Sequence, residues 1–515
     1  MKPTTTQGNT PLQLPNVAAP RNGGAARVCL VALVCLYVAA RLWRLTQFNL
    51  GRDELFSLET ARLGWRALLA AVVADVVHPP LFYLLLKLWL LVGGEHLRWL
   101  KLFPTLTAIL TVVPLLLLCR ALRLRAYATN TALALVAVNG YLVAYAHELR
   151  MYSLLLLFTL CALWLFVRFW HAPRPGKLDL CALFAVHLLL VYTQYYGWLV
   201  IGVELLFVLG WRRQRARTFT AIIALVALCF APWAWAVAHA LLTTRTVDLN
   251  TQLSWHYRPD AAGLAAYYAL LNGPYSFPRS TTLGLLLFGL VIIWGIQATH
   301  RAPRAPGMET DARSTRLVFY FLLALATLPV ACAFVVSRTL PQSVWHTRYL
   351  ISAAVPYLLL VACALARLPT RGLRRSLTLI VVAWAGVSGC VEMRRTDTHI
   401  AWDALAHALS TAETTTTAQP RPIVRVFTLD DFPRYPMSFY LRATGDDRFE
   451  FVRVNAADVP TLAGDHFWLI YEESAWPRGA PSPSEILRGR GFQIGASYDS
   501  GPHGHRYILL PVARR

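Results

Sequence analysis

Charge is what this sequence has least of. Only 15% of its 515 residues are Asp, Glu, Lys or Arg, while 56% are hydrophobic and the mean hydropathy is +0.46. That balance is wrong for a soluble enzyme and places the chain among polytopic membrane proteins. Acids are the scarcer sign, 27 against 49 bases, for a net charge of +22. In a soluble chain such an excess would suggest nucleic acid. Here the bases collect in short loops between apolar runs, as membrane topology requires, which argues against nucleic acid as a partner. The nine cysteines all lie in or beside apolar runs, none as Cys-x-x-Cys and none in the polar C-terminal part. A disulfide framework and a zinc site are both disfavoured, and no metal-ligand cluster is visible.

Apolar runs are what the chain does have. Residues 1–26, rich in Thr, Asn, Pro and Ala, read as a disordered cytoplasmic tail. The run Val28–Ala40 has the length of a signal-peptide core, but the long tail before it and the many runs after it make it a retained anchor. Three stretches, near 79–93, 102–119 and 127–146, separate His78 from Glu148. If all three crossed, those two residues would face opposite sides. The first is short and carries Lys87, so it reads as re-entrant or interfacial, which leaves Arg98 and Lys101 outside.

The basic loops then alternate consistently. Arg120/Arg123/Arg125, Arg168/Arg174/Lys177, Arg212/Arg213/Arg215/Arg217, Arg301/Arg304/Arg313/Arg316 and Arg367/Arg371/Arg374/Arg375 all fall inside. The reading is a membrane domain over 27–391 with about eleven transmembrane helices, N-terminus inside and C-terminus outside.

From residue 392 to 515 the pattern changes. Ile400–Ala412 reads as a short helix and Thr414–Thr417 as a linker. Strand-like runs follow at Ile423–Thr428, Phe449–Val454, Phe467–Tyr471, Phe492–Ser497 and Arg506–Leu510, with a helical run at Ser484–Arg490 ending in Gly491. This describes a small extracytoplasmic α/β domain.

The stretch that invites chemistry is Leu50-Gly-Arg-Asp-Glu-Leu-Phe-Ser57, within an external loop over 46–80. Leu58, Ala61, Trp65, Leu68 and Val72 recur at helical spacing with Glu59, Arg62 and Arg66 opposite, a helix lying in the interface. Asp53 and Glu54 at its start offer a base to a lipid-borne substrate. Equally, Asp53 fits an N-cap and Glu54 a first-turn acid favoured by the helix dipole.

On an outer face that should be poor in bases, Arg150 and Arg348 stand at headgroup level. There they either bind a phosphate bidentately or snorkel to lipid as anchors. Glu148 is either a second carboxylate beside Asp53 or the ion-pair partner of Arg150. His78, in His78-Pro79-Pro80, either starts a helix or reaches a phosphate or hydroxyl. Tyr195, Tyr196, Trp255, His256, Tyr257, Tyr267, Tyr268 and Tyr275 make the outer loops aromatic, as a membrane belt or as a sugar-stacking surface.

In order and spacing these segments resemble the GT-C glycosyltransferases of family 39, the protein O-mannosyltransferase and lipid-A aminoarabinose transferase type. Asp53-Glu54 is similar to that family's first-loop acidic pair and His78-Pro-Pro-Leu-Phe-Tyr83 to its HPPL-like segment. Glu148-Leu-Arg-Met-Tyr-Ser153 resembles the bacterial E-A-R-M-Y-S, with Leu149 for Ala and His147 for Gln as departures. Arg348-Tyr349 before an apolar run and Trp402-Asp403 also follow the pattern.

The resemblance implies a site on the outer face of a bacterial inner membrane, a polyprenyl-phosphate sugar as donor, and transfer with inversion to an extracytoplasmic hydroxyl. It makes Asp53 the base, with Glu54 as its partner or substitute. His78, Glu148, Arg150, Tyr152, Arg348 and Tyr349 would bind the donor. No redox cofactor is implied, and the sugar and acceptor are not specified. A flippase moving a lipid-linked sugar, or an oligosaccharide polymerase or ligase, would share the external arginines. The loop-borne acid pair and the absence of an inverted internal repeat favour the enzyme over the flippase, and a polymerase or ligase would not need the interfacial Asp-Glu helix.

Overall fold

The computed structural model of the protein describes residues 23–243, 257–273, 278–301, 309–394, 400–414 and 423–514, except 431, 444, 447, 478 and 501–505. The tail expected over 1–26 lies outside the described residues up to 22, as do the linker beyond Thr414 and Trp255, His256 and Tyr275. The membrane part opens with α1 (Gly23–Leu42), α2 (Arg52–Arg62), α3 (Trp65–Asp75), α4 (Leu81–Gly93), α5 (Leu97–Leu110) and α6 (Val112–Ala121). It continues through α7 (Ala126–Val138), α8 (Gly140–His147), α9 (Tyr152–His171), α10 (Lys177–Thr193), α11 (Gly197–Trp211) and α12 (Ala216–Thr243). Helices α13 (Ala261–Asn272), α14 (Pro278–Arg301), α15 (Glu309–Thr339), α16 (Ile351–Leu365) and α17 (Arg371–Arg394) complete it.

The expectation of about eleven spans is corrected here. Among the described residues six helices are long and apolar enough to cross a membrane: the α5–α6 run, α9, α12, α15, α16 and α17. The bent pair α7–α8 makes a seventh if it is one span. Helix α11 ends after 15 residues, and α4 is the run read from the sequence as re-entrant or interfacial. Helix α4 has 13 residues, a rise of about 20 Å against a hydrocarbon core of about 30 Å. It ends at Gly93-Gly94, where Gly94 takes φ +74°, and doubles back onto α5. There Trp89 and Trp99 stack with centroids 4.1 Å apart and exchange indole N–H···O=C bonds of 2.8 and 3.0 Å.

The break between α7 and α8 bends the chain by 54°, and the sequence explains it. Asn139 caps α8, accepting from the Leu142 amide at 3.1 Å while its own amide donates to the Leu271 carbonyl at 2.8 Å. The carbonyls freed at the end of α7 are taken up by a buried guanidinium. Arg41 donates to the Val136 and Ala137 oxygens at 2.8 and 2.9 Å and stacks on Tyr37. Gly389 of α17 passes so close to this break that a Cβ there would collide with the Val138 carbonyl oxygen.

The single interfacial helix expected after Asp53 is two helices. Leu63 and Gly64 interrupt it, both with extended ψ near 155°. Leu58, Ala61, Leu68 and Val72 are buried as the spacing requires, but Trp65 is exposed because the break rotates it off the common face.

The C-terminal domain holds α18 (Trp402–Thr414), β1 (Val424–Thr428), α19 (Arg434–Ala443), β2 (Phe449–Arg453), β3 (His466–Glu472), α20 (Pro483–Gly489), β4 (Phe492–Ile494), β5 (Tyr498–Asp499) and β6 (Tyr507–Arg514). The strands form one mixed sheet in the order β2-β1-β3-β6-β4, with β5 also on β6. Strand β1 is parallel to β2 and β3, whereas β6 is antiparallel to β3, β4 and β5. Along β3 the side chains alternate. Trp468 and Ile470 join the core shared with α18 and the membrane part, and Phe467, Leu469 and Tyr471 join a second core with Leu487 of α20. Both faces are covered, which is why this strand reads as an unbroken apolar run. Gly491, at φ +86°, ends the α20 turn. Helix α19 and strand β5 are additions to the elements expected from the sequence.

Candidate active site

The N-cap of α2 is Gly51, so Asp53 sits at the second helical position and Glu54 at the third. The two adjacent acids are thereby turned in different directions. Glu54 points into the protein, where its Oε1 accepts from Lys101 Nζ and from the Leu149 amide, both at 2.7 Å. Its Oε2 accepts from the Gly51 amide at 2.8 Å. This buried carboxylate ties α2 to α5 and to the turn that carries Glu148 and Arg150. Asp53 points the other way, with 41% of its side chain exposed.

Asp53 Oδ2 lies 2.6 Å from Arg348 Nη1. Burial raises the Asp53 pKa, but Arg150, Arg348 and the Arg348 hydrogen bond outweigh it, and the carboxyl is held below the usual range. The Arg150 guanidinium lies beneath. Its Nη1 donates to the Asp53 backbone oxygen at 3.1 Å and to Ser57 Oγ at 2.8 Å, and its Nη2 reaches His78 Nε2 at 3.1 Å. A guanidinium has only donors, so His78 Nε2 must be the acceptor and the ring proton must sit on Nδ1. Asp75 fixes that tautomer, with Oδ2 2.7 Å from Nδ1. Burial and the Arg150 charge push the His78 pKa down, against the pull of Asp75, which agrees with a neutral ring. The turn between Asp75 and His78 holds Val76 at φ +52°. A β-branched residue is strained there, at a cost of about 1–3 kcal/mol met by the surrounding fold.

Tyr349 Oη is 3.2 Å from His78 Nε2. The Arg348 guanidinium lies 5.9 Å from the ring centroids of both Tyr349 and Tyr152. Tyr152 is fully buried, and its hydroxyl has no hydrogen-bond partner among the described residues. Glu148 makes no ion pair with Arg150, whose guanidinium is turned to His78 and Ser57. Instead, burial lifts the Glu148 carboxyl to about 7, with Arg348 pulling it down and Glu54 and Asp53 pushing it up.

All eight residues singled out in the sequence therefore converge at one end of the bundle. Asp75 and Ser57 also belong to it, although the sequence reading gave them no role, and so does Lys101, placed on the outer face from the sequence and here paired with Glu54. Asp75 and His78 are three residues apart, as are Glu54 and Ser57, but nothing local marks Lys101. An apolar slot of about 290 Å³ opens beside Tyr349, walled by Val76, Val77, Tyr196 and Val336. The C-terminal domain seats on the residues just before Asp53. Asn49 donates to Asp403 at 2.6 Å, Tyr440 Oη accepts from the Leu50 amide at 3.0 Å, and Arg52 stacks on Phe432. Of the outer aromatics, Tyr267 and Tyr268 donate to the Leu350 and Ala326 carbonyls and so are committed to the bundle.

Neither protein-family models nor curated protein sequences match the chain. Solved structures do. ArnT from Cupriavidus metallidurans bound to undecaprenyl phosphate is 13% identical, aligning over 95% of this chain and 98% of that one with a TM-score of 0.53. The same protein in the apo state aligns with a TM-score of 0.44 at 13% identity, over the same shares. The archaeal oligosaccharyltransferase AglB from Archaeoglobus fulgidus, in complex with an inhibitory peptide and a dolichol-phosphate, is 11% identical. It aligns over 94% of this chain and 74% of that one with a TM-score of 0.45. Of these, the first carries the assignment. The chain is a multi-pass membrane protein that shares the fold of that ArnT, and at such identity the likeness is one of fold alone.

Proposed function

We propose that the protein is a membrane glycosyltransferase that moves a sugar from a polyprenyl-phosphate donor to a hydroxyl of an extracytoplasmic acceptor, with inversion. The observation that carries this reading is the exposed Asp53 carboxylate held against Arg348, with Arg150 and His78 behind it and an apolar slot alongside. The slot takes the first isoprenoid units, and the two guanidiniums face the phosphate. The acceptor hydroxyl oxygen bonds to C1 of the sugar as its proton passes to Asp53. The C1–O bond to phosphate breaks from the opposite face, and its electron pair leaves with the polyprenyl phosphate. Arg348 and Arg150 stabilise the charge that develops there.

The low pKa of Asp53 fits this cycle. When the donor phosphate draws Arg348 away, the carboxylate loses its strongest partner and gains basicity as the acceptor arrives. The order of segments shared with family 39 supports a donor of that class, and the ArnT structure was solved with a polyprenyl phosphate in place. In this reading the protein is a bacterial inner-membrane enzyme with its site and C-terminal domain outside, that domain recognising the acceptor or acting as a lid.

The test is transfer by purified protein in lipid, given radiolabelled polyprenyl-phosphate sugars and an envelope extract as acceptor, comparing wild type with Asp53→Asn. Label should enter a new product with the wild type alone, while the variant still binds donor. If neither protein moves label but the wild type relocates lipid between leaflets, the protein is a transporter.

A further inference from the structure

At the opposite end of the bundle from Asp53, the ends of α6, α9 and α11 and the side of α15 enclose a cavity of about 660 Å³. Its rim carries Arg123, Arg212 and Arg213, and its walls include Phe166, Phe207 and Phe321. Those rings pack on one another, with Phe321 stacked 5.5 Å from Phe166 and edge-on 5.0 Å from Phe207. No carboxylate lines the cavity among the described residues, and none of the three arginines makes an ion pair there. Arg212 instead lies 5.6 Å over the Trp170 ring. Helix C-termini repel anions, so three of them meeting at one cavity would by themselves disfavour negative charge. The arginines reverse that sign.

The backbone at Arg123 adds an independent observation. After α6 the Arg123 amide donates to Arg120 O at 3.0 Å and the Leu124 amide to Cys119 O at 2.9 Å. This pair of bonds is a Schellman motif, whose left-handed position is usually glycine. Here it is Arg123, at φ +55°. The fold accepts an unfavourable conformation at a position where glycine would serve the helix better, and the side chain so placed stands at the cavity rim.

We propose that this cavity is a binding site for the phosphate headgroup of an anionic bilayer phospholipid, with the guanidiniums on the phosphate and an acyl chain against the phenylalanine wall. The guanidinium fork suits a phosphate oxygen pair, and the combination of cationic rim and apolar wall suits an amphiphile better than a free anion. The site is separate from Asp53 and Arg348, so it stands whether or not the transferase reading does.

The experiment measures lipid binding to the full-length protein in neutral detergent, by native mass spectrometry and by the lipid-induced rise in unfolding temperature. The probes are phosphatidylglycerol, phosphatidylcholine with the same acyl chains, undecaprenyl phosphate and inorganic phosphate. Wild type should bind phosphatidylglycerol at least tenfold more tightly than phosphatidylcholine and should ignore inorganic phosphate. The triple variant Arg123→Gly, Arg212→Gln, Arg213→Gln should lose that preference. Arg123→Gly alone should weaken phosphatidylglycerol binding while leaving the lipid-free unfolding temperature equal or higher, because glycine relieves the left-handed strain. Unchanged preference in the triple variant overturns the proposal. So does stabilisation by inorganic phosphate alone, or undecaprenyl phosphate displacing phosphatidylglycerol at these arginines, which would make the occupant the isoprenoid carrier.

Discussion

Asp53, on the first short helix, and Arg348, in the turn just before α16, meet at 2.6 Å from distant parts of the chain. Glu54, the very next residue, faces the interior and closes on Lys101 at the same kind of distance, 2.7 Å. Neighbouring acids thus have opposite surroundings. One is reachable from solvent and held by a single exchangeable guanidinium; the other is locked by three donors. The difference between them generates the first two expectations.

Replacing Arg348 by Gln should remove charge from the developing phosphate. Turnover in the transfer assay should fall by about 10²–10³-fold, the usual cost of deleting one preorganised donor at a forming anion. Arg348→Lys should recover only part of this, since an ammonium cannot present a planar fork. Full activity in Arg348→Gln would remove it from the site.

Glu54→Gln should act on stability. It leaves Lys101, which is buried, as an uncompensated charge, and breaking a buried pair in this way costs about 3–5 kcal/mol. The unfolding temperature in detergent should drop markedly, whereas Asp53→Asn should move it little. Replacing Glu54 and Lys101 together by leucine should recover most of the loss. Equal stability of Glu54→Gln and wild type would show that the pair is not holding α2 to α5.

Glu148 supplies a pH dependence. Its folded pKa of about 7 lies above the ordinary carboxylate value, so between the two the native state binds more protons than the unfolded state. Stability must therefore fall as pH rises through that window and level off above 7. Unfolding temperatures measured from pH 4.5 to 8 should show this decline in wild type, and Glu148→Gln should flatten it. His78 contributes in the opposite sense. Its lowered pKa makes the native state bind fewer protons, so stability is lost as pH drops below 6.5.

Gly389 should tolerate no side chain. A Cβ would collide with the Val138 carbonyl oxygen, a backbone atom that cannot swing aside. Gly389→Ala should cost about 1–3 kcal/mol through forced separation of α17 from the α7–α8 break. Gly372→Ala on the same helix, with open space around it, is the control and should be neutral or slightly stabilising.

The sequence by itself determined what its local chemistry could express. Composition and loop charge marked the membrane class, because transfer of apolar side chains is additive along the chain. Short apolar and β-branched runs bounded by turn residues marked the strands of the C-terminal domain, including β3, which is buried on both faces. Residue type marked the site acids and arginines, because charge on a membrane protein's outer face needs a reason. What the tertiary structure decided depends on partners remote in sequence or on local breaks. The span count fell where a helix such as α11 ends after 15 residues and where Asn139 bends α7 away from α8, since a run of hydropathy registers neither an end nor a bend. The different roles open to Asp53 and Glu54 turn on a rotation of about 100° per helical residue and on where Lys101 and Arg348 happen to lie. The tautomer of His78 needed both Asp75 and Arg150 to be in place. The left-handed Arg123 has no sequence signature at all, since only the packed ends of three helices reveal the cavity its side chain serves.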